Sequence, residues 1–325
     1  MSKKYKYEMK PKFEERMRAL LPDNEDFNKF NTIIHTSPKN FIRCNTLKIS
    51  TEELLKKLKD KQWNIKQPFP KHPEIMLIDQ DLPPGALGNS LEHILGYYYV
   101  QEISSMLSVL ALNPQPNELI LDLFASPGSK TTQISALMNN QGTIIANDLN
   151  IGRIKILSSN IERLGVTNTI VTRKDAIALC SKLKNSNFPK FDRILLDSPC
   201  SGEGTLRSSP KTFIIWNEKV IYKLSRQQKK FFAFAVKLLK KGGTLVYSTC
   251  THAPEENEAI VSFALENFPL KAEQLVLPVK CRLGITKWKN EEYHKDASLS
   301  CRIYPQDNDS EGFFVSKFTL LEELK

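Results

Sequence analysis

The chain has 325 residues, 41% hydrophobic and 25% charged, a globular balance that excludes collagen-like, low-complexity and disulfide-scaffold proteins. Its formal net charge of +10 favours a polyanionic partner such as nucleic acid, and residues 1–72 supply most of it, with 17 Lys and Arg against 9 Asp and Glu. Six cysteines (44, 180, 200, 250, 281 and 301) form neither a C-x-x-C pair nor a cluster with histidines, so no metal is expected. No apolar stretch approaches the ~18 residues of a membrane span and the basic start leads into no signal-type apolar run, which predicts a cytoplasmic chain with reduced thiols and no membrane partner.

In chain order, residues 1–30 read as helical, a candidate basic arm. Phe41-Ile42-Arg43-Cys44-Asn45 reads as a strand, and Ser50 with Glu53 three residues later is a capping box that opens a helix with leucines at 54, 55 and 58. A small β-α-β layer is predicted over about 30–80, and Pro68, Pro70, Pro73, Pro83, Pro84 and Gly85 punctuate the stretch up to about residue 85. An apolar helix carrying Tyr97, Tyr98 and Tyr99 is predicted from Ile94 to Leu112. Then the pattern changes. Strands at Leu119–Phe124, Thr143–Asn147, Thr169–Thr172, Phe191–Leu196 and Thr244–Ser248 alternate with helices near 130–138, 151–164, 176–184, 225–240 and 254–266. Such repetition predicts an α/β, doubly wound parallel sheet over 113–325, after a small α+β domain over 1–112, with ligands beyond the carboxyl ends of the strands.

The loop after the first of these strands, Asp122-Leu123-Phe124-Ala125-Ser126-Pro127-Gly128-Ser129-Lys130-Thr131, has small residues and a glycine that let a ligand approach the backbone. It is not a P-loop, because Ser129 stands before Lys130 where Gly is required, and G-x-G-x-x-G is absent. A nucleoside ligand remains. Asp148 after the second strand suits two ribose hydroxyls and Asp175 after the third an adenine amino group, a set that suits S-adenosylmethionine. The competing role for each acid is to cap the next helix.

Two further strand ends carry sulfur: Asp197-Ser198-Pro199-Cys200-Ser201-Gly202 and Ser248-Thr249-Cys250-Thr251. Cytosine C5 is a poor nucleophile until a thiolate adds at C6, after which it can attack a sulfonium methyl; a base must then remove the C5 proton so that the thiol can leave. Cys200, Cys250 and Asp197 supply thiol, acid and base. The helix predicted to open at Pro254 would favour a thiolate at Cys250, with Glu255 and Glu256 opposing. Cys44, Cys180, Cys281 and Cys301 read as small buried hydrophobes.

These motifs resemble the Sun/nucleolar-protein (NSUN-like) family of S-adenosylmethionine-dependent RNA cytosine-C5 methyltransferases. The resemblance rests on Asp122 to Thr131, Leu196 to Gly204 and Ser248 to Thr251, and extends to Phe41–Lys48, Tyr99–Met106 and Glu311-Gly312-Phe313-Phe314, covering about residues 40–318. The run Leu87–Tyr98 looks most like archaeal tRNA members. The resemblance implies a Rossmann-like class I methyltransferase domain behind an RRM-like layer, acting on tRNA or, alternatively, rRNA, as a monomer. It further implies that Cys250 attacks C6, that Cys200 assists proton removal and product release, and that Asp197 contacts N3 with Lys130 near the base. Ala125, Ser126, Pro127, Gly128, Ser129, Lys130, Asp148, Arg153, Asp175 and Asp197 would line the cofactor. Two residues depart from the pattern: Ser129 stands for a usual Gly, requiring a negative φ there, and Glu311 for a usual Asp. Arg207 and Lys211 are candidates for phosphate contacts, or simply a solvated loop. Two rivals stay open: a DNA cytosine methyltransferase using the Pro-Cys cysteine, disfavoured by Thr249-Cys250, and a non-catalytic RNA-binding assembly factor.

Overall fold

The computed structural model describes residues 8–324. The chain forms two compact units, one of Lys39–Asp197, Phe234–Val246 and the tail from Leu320, the other of the residues up to Pro38, Ser198–Ala233 and Tyr247–Thr319.

The first unit begins with a small antiparallel sheet of β1 (Asn40–Cys44), β2 (Ile65–Lys66), β3 (Ile75–Ile78) and β4 (Tyr98–Val100), in the order β2-β3-β1-β4. The helix Thr51–Asp60 starts where the capping box predicts, with Ser50 Oγ accepting from the Glu53 N–H. Its Leu54 and Leu58 are fully buried against Ile42, Met76 and Tyr98, as an i, i+4 stripe must be to repay ordering the helix. The tyrosines depart from the sequence reading. Tyr98 and Tyr99 extend along β1, Cys44 opposite Tyr98 and Arg43 opposite Tyr99, and the helix starts only at Ile103. Gly96 enforces the break: at φ +74 it passes so close to the Arg163 carbonyl that a Cβ would lie 2.0 Å from the oxygen.

After the helix Ile103–Leu112 come β5 (Leu119–Asp122), β6 (Thr143–Asp148), β7 (Thr169–Arg173), β8 (Phe191–Asp197) and β9 (Leu239–Thr249), in the order β9-β8-β5-β6-β7. The pairs β5/β6, β5/β8 and β6/β7 are parallel. Helices Ser129–Leu137, Ile151–Arg163 and Ala176–Asn185 provide the crossovers. Because the chain winds outward from β5 to β7 and then returns to the other side of β5, the strand order reverses at β5, and the loop after Asp122 lies at the reversal.

In the second unit, helices Pro11–Leu20 and Asn24–Ile33 are packed elements rather than a loose basic arm: Phe13, Met17, Phe27 and Phe30 are buried with Phe213, Trp216 and Ile221. Buried Arg16 is held by Glu255 at 2.7 Å and Glu218 at 3.2 Å, so this part of the basic charge counted over residues 1–72 is spent inside the fold. Helices Glu218–Ala235 and Glu258–Asn267 come next, then β10 (Leu270–Glu273), β11 (Arg282–Leu283), the ribbon β12 (Lys287–Trp288) and β13 (Glu291–Glu292), β14 (Cys301–Ile303) and β15 (Phe313–Leu320). Strands β11, β14 and β15 neighbour one another in that order, antiparallel where β14 meets both others, and β10 pairs with β15. Among the described residues no helix is long and apolar enough to cross a membrane, and no group of three His, Cys, Asp or Glu is placed to hold a metal.

Candidate active site

Beyond β5, the loop Leu123–Gly128 is fixed from both ends. Thr131 Oγ1 donates to the buried Asp122 carboxylate at 2.6 Å, and the Ala125 N–H reaches the Asn147 carbonyl at 2.8 Å. Burial pushes Asp122 up to about 7, with the Thr131 hydrogen bond opposing. Gly128 turns at φ +103 against Leu157, whose Cδ1 would lie 2.9 Å from an added Cβ. Ser129 is already the first residue of the helix, outside the left-handed region, so its departure from the expected glycine costs the turn nothing.

At the end of β6, Asp148 Oδ1 accepts from the Asn150 N–H at 3.0 Å, and Asn150, not Asp148, caps the helix Ile151–Arg163. Arg153 reaches back to Asp148 at 3.3 Å and to the Ser126 carbonyl at 2.5 Å, joining the two loops. Asp175 does cap: its Oδ1 accepts from the Ala178 N–H at 3.0 Å. These residues fit a nucleoside cofactor. The Ser126 hydroxyl is buried with no protein partner, and an acid stands at the adjacent strand end. Lys130, the second residue of the same helix, pairs with Asp197 at the end of β8 at 2.7 Å and donates to Ser105 Oγ at 3.1 Å.

In the second unit the two motif cysteines meet. Their sulfurs are 3.1 Å apart, and the Cys250 N–H donates to Cys200 Sγ at 3.3 Å. The adjacent Ser198 N–H donates to the Ser248 carbonyl at 3.0 Å, which sets the two segments side by side. The Cys250 turn is clamped: Thr249 Oγ1 donates to Asn257 Oδ1 at 2.6 Å, and Asn257 Nδ2 to the Thr251 carbonyl at 2.9 Å. Gly204 completes it, donating its N–H to the Cys250 carbonyl at 2.9 Å where a Cβ would lie 2.2 Å from Gly312 O. Hydrogen bonding to Cys250, then burial, holds the Cys200 thiol well above its ordinary range, so Cys200 keeps its proton and can donate it to the Cys250 sulfur. The helix after Cys250 begins only at Glu258, so an adjacent helix N-terminus is not what activates this sulfur.

Two buried acids lie behind the pair. Glu256 Oε2 accepts from the Ser201 N–H at 3.1 Å and from Gln228 Nε2 at 2.8 Å, and the same amide holds the Pro199 carbonyl at 2.9 Å. Glu203 accepts from Trp216 Nε1 at 2.7 Å and Thr251 Oγ1 at 3.2 Å. Burial pushes Glu256 up to about 7 and raises Glu203 as well.

The chain matches two families of known proteins. The family described as 16S rRNA methyltransferase RsmB/F matches residues 109–319, and the N-terminal domain of 16S rRNA methyltransferase RsmF matches residues 9–103. The chain belongs to the RsmB/F family. Members of this family are S-adenosylmethionine-dependent RNA cytosine-C5 methyltransferases, the activity class and cofactor that the Sun-like motifs imply. An RsmB/F relative from Pyrococcus abyssi, named tRNA (cytosine(49)-C(5))-methyltransferase, is 38% identical over 96% of this chain and 98% of its own length. The ribosomal RNA small subunit methyltransferase F of Vibrio parahaemolyticus is also 38% identical, over 94% of this chain, but the chain spans only 62% of that relative. Two solved structures from Pyrococcus horikoshii share the fold. A methyltransferase homolog protein superposes with TM-score 0.82 at 30% identity, covering 95% of this chain and 94% of its own. NSun6, solved with the S-adenosylmethionine analogue SFG, superposes with TM-score 0.84 at 26% identity, covering 98% and 100%.

Several residues that shape this RsmB/F site escaped the sequence reading. Arg43 is buried and donates to Gln101 Oε1 at 2.6 Å, the Ser129 carbonyl at 2.8 Å and Thr132 Oγ1 at 2.9 Å, so β1 fixes the helix that carries Lys130. Gln228 carried no motif signal, and Glu203 lies within the Leu196–Gly204 motif but was given no role there. Arg207, a candidate for phosphate contacts, is buried and spends its guanidinium on the Thr36, Ser37 and Ser310 carbonyls and on Asp309 at 2.6 Å. Lys211 is exposed.

Proposed function

We propose that this protein methylates C5 of a cytosine in tRNA through a covalent adduct between Cys250 and C6 of the base. The observation that carries the mechanism is the pair of motif sulfurs 3.1 Å apart. S-adenosylmethionine supplies an electrophilic methyl group. Cys250 adds its sulfur to C6, which makes C5 the nucleophile. Asp197, steadied by Lys130, hydrogen bonds at N3 and the exocyclic amine, stabilising charge as the ring loses aromaticity. Once the methyl group is on C5, that carbon must lose its proton before the C6–S bond can break. Cys200 serves this second half by exchange: as the C5 proton moves to its sulfur, its own proton passes to the departing Cys250 sulfur. Ala125, Ser126, Pro127, Gly128, Ser129, Lys130, Asp148, Arg153, Asp175 and Asp197 bind the cofactor, with Asp148 at the ribose.

Residues 1–112 serve as the RNA-binding region and 113–325 as the methyltransferase domain, working as a cytoplasmic monomer. The choice of tRNA over rRNA rests on the run Leu87–Tyr98, which looks most like archaeal tRNA members. The test is adduct trapping. Cys200→Ala should accumulate a protein–RNA band stable to denaturation, and Cys250→Ala should give neither band nor product. An adduct found only in Cys250→Ala would reverse the two roles, and a CD3 label recovered on an exocyclic nitrogen or a sugar oxygen would exclude the reaction altogether.

A further inference from the structure

A cavity of about 420 Å³ in the second unit is not used by the chemistry above. It is lined by Ile34–Pro38 on one side and by Leu206, Arg207, Ser208, Pro210, Lys211 and Phe213 on the other. We propose that it receives the base and phosphate of a nucleotide next to the target cytosine, a reading that rests on the RNA methyltransferase function proposed above.

Several observations support this. The cavity is built rather than incidental: Arg207, in the second wall, donates to Thr36 and Ser37 of the first and is also held by Asp309 and Ser310, so the walls are tied together before any ligand arrives. Its position is set by the covalent chain, because the second wall begins six residues after Cys200 and is anchored where Gly204 donates to the Cys250 carbonyl. The lining suits a nucleotide, with His35 and Phe213 stacked at 5.5 Å and 26° as an aromatic surface and exposed Lys211 as a cation for the phosphate. The acids close by are already engaged, Asp309 by Arg207 and Glu311 by the Ser208 N–H at 2.8 Å, so they do not turn the cavity anionic. A volume of this size lies within the ~300–1,000 Å³ of small-ligand sites and accommodates one nucleoside.

The experiment pairs protein and RNA changes in steady-state methylation of a tRNA transcript. In the wild type, an abasic site at one neighbour of the target cytosine should raise the RNA KM roughly tenfold, the worth of one stacked base. Lys211→Ala and His35→Ala should raise the KM for intact RNA several-fold with little change in kcat and leave S-adenosylmethionine affinity in calorimetry unchanged; His35→Ala, which removes part of the stacking surface, should respond to the abasic site far less than the wild type. Lys271→Ala, at an exposed position of β10, controls for general charge loss. Equal abasic sensitivity in wild type and His35→Ala, or none in the wild type at either neighbour, overturns the cavity assignment while leaving cytosine methylation standing. Absence of any methyl transfer to cytosine by the wild type overturns both.

Discussion

Replacing Glu256 by Gln should flatten the pH dependence of stability. The carboxyl is fully buried and pushed from 4.5 up to about 7, chiefly by burial, with the Ser201 and Gln228 hydrogen bonds opposing. Below pH 4.5 it is protonated in both folded and unfolded chains. Between 4.5 and 7 the unfolded chain releases the proton while the folded chain keeps it, so stability falls as pH rises through this window and levels off above the folded value. A rise from 4.5 to about 7 corresponds to about 3 kcal/mol. Gln is isosteric, and its carbonyl can accept the same two hydrogen bonds from Ser201 and Gln228, so the substitution removes the titration and keeps the brace around Cys200. Asp122, also pushed up to about 7 by burial, imposes a slope of the same sign on both proteins and cancels in the comparison. Urea unfolding of the wild type and Glu256→Gln should be measured from pH 5 to pH 8. The variant should gain about 3 kcal/mol relative to the wild type across that range. Parallel curves would show that Glu256 is ionised in the folded protein throughout, and the assignment of burial as the dominant cause would be wrong.

Two further substitutions probe how the cofactor loop is held. Arg43→Met removes three hydrogen bonds from a buried cation and leaves Gln101, the Ser129 carbonyl and Thr132 to find other partners, so it should cost about 3 kcal/mol of stability and weaken S-adenosylmethionine binding in calorimetry. Unchanged cofactor affinity would mean that β1 does not position the helix Ser129–Leu137. Gly128→Ala places a Cβ at φ +103 and 2.9 Å from Leu157 Cδ1, which should cost about 1–2 kcal/mol in thermal denaturation and reduce cofactor affinity more than Ser129→Gly, a change at a residue with ordinary helical geometry.

What the sequence made legible is what period and punctuation encode. The alternation of short apolar runs with helical stretches gave the parallel strands to within a few residues, because strands buried on both faces read as continuous apolar segments. The Ser50 capping box behaved as read, since a cap is decided within four residues. Features decided by distant partners were not readable. Tyr97–Tyr99 lie between helical neighbours and read as helix, yet their strand is set by pairing with residues more than fifty positions earlier. Arg16 reads as one charge in a basic segment, and only the fold reveals Glu255 beside it. For Asp148 and Asp175 the sequence left cofactor and capping roles open at both. The structure separates them: Asn150 takes over the cap next to Asp148, while Asp175 fills its own.

The cysteine motifs lie between these extremes. Each announces itself as a polar strand end, but the sequence cannot count the protons that the two share. At 3.1 Å two thiolates would repel strongly in a buried site, so the pair retains at least one proton, and hydrogen bonding and burial place it on Cys200. In the mechanism proposed above, the sulfur that holds the proton would hand it on when the bond to the base breaks. A single cysteine could begin the addition without such a neighbour. Release is the step that calls for the second, which is why loss of Cys200 should leave the protein bound to its RNA rather than merely slow.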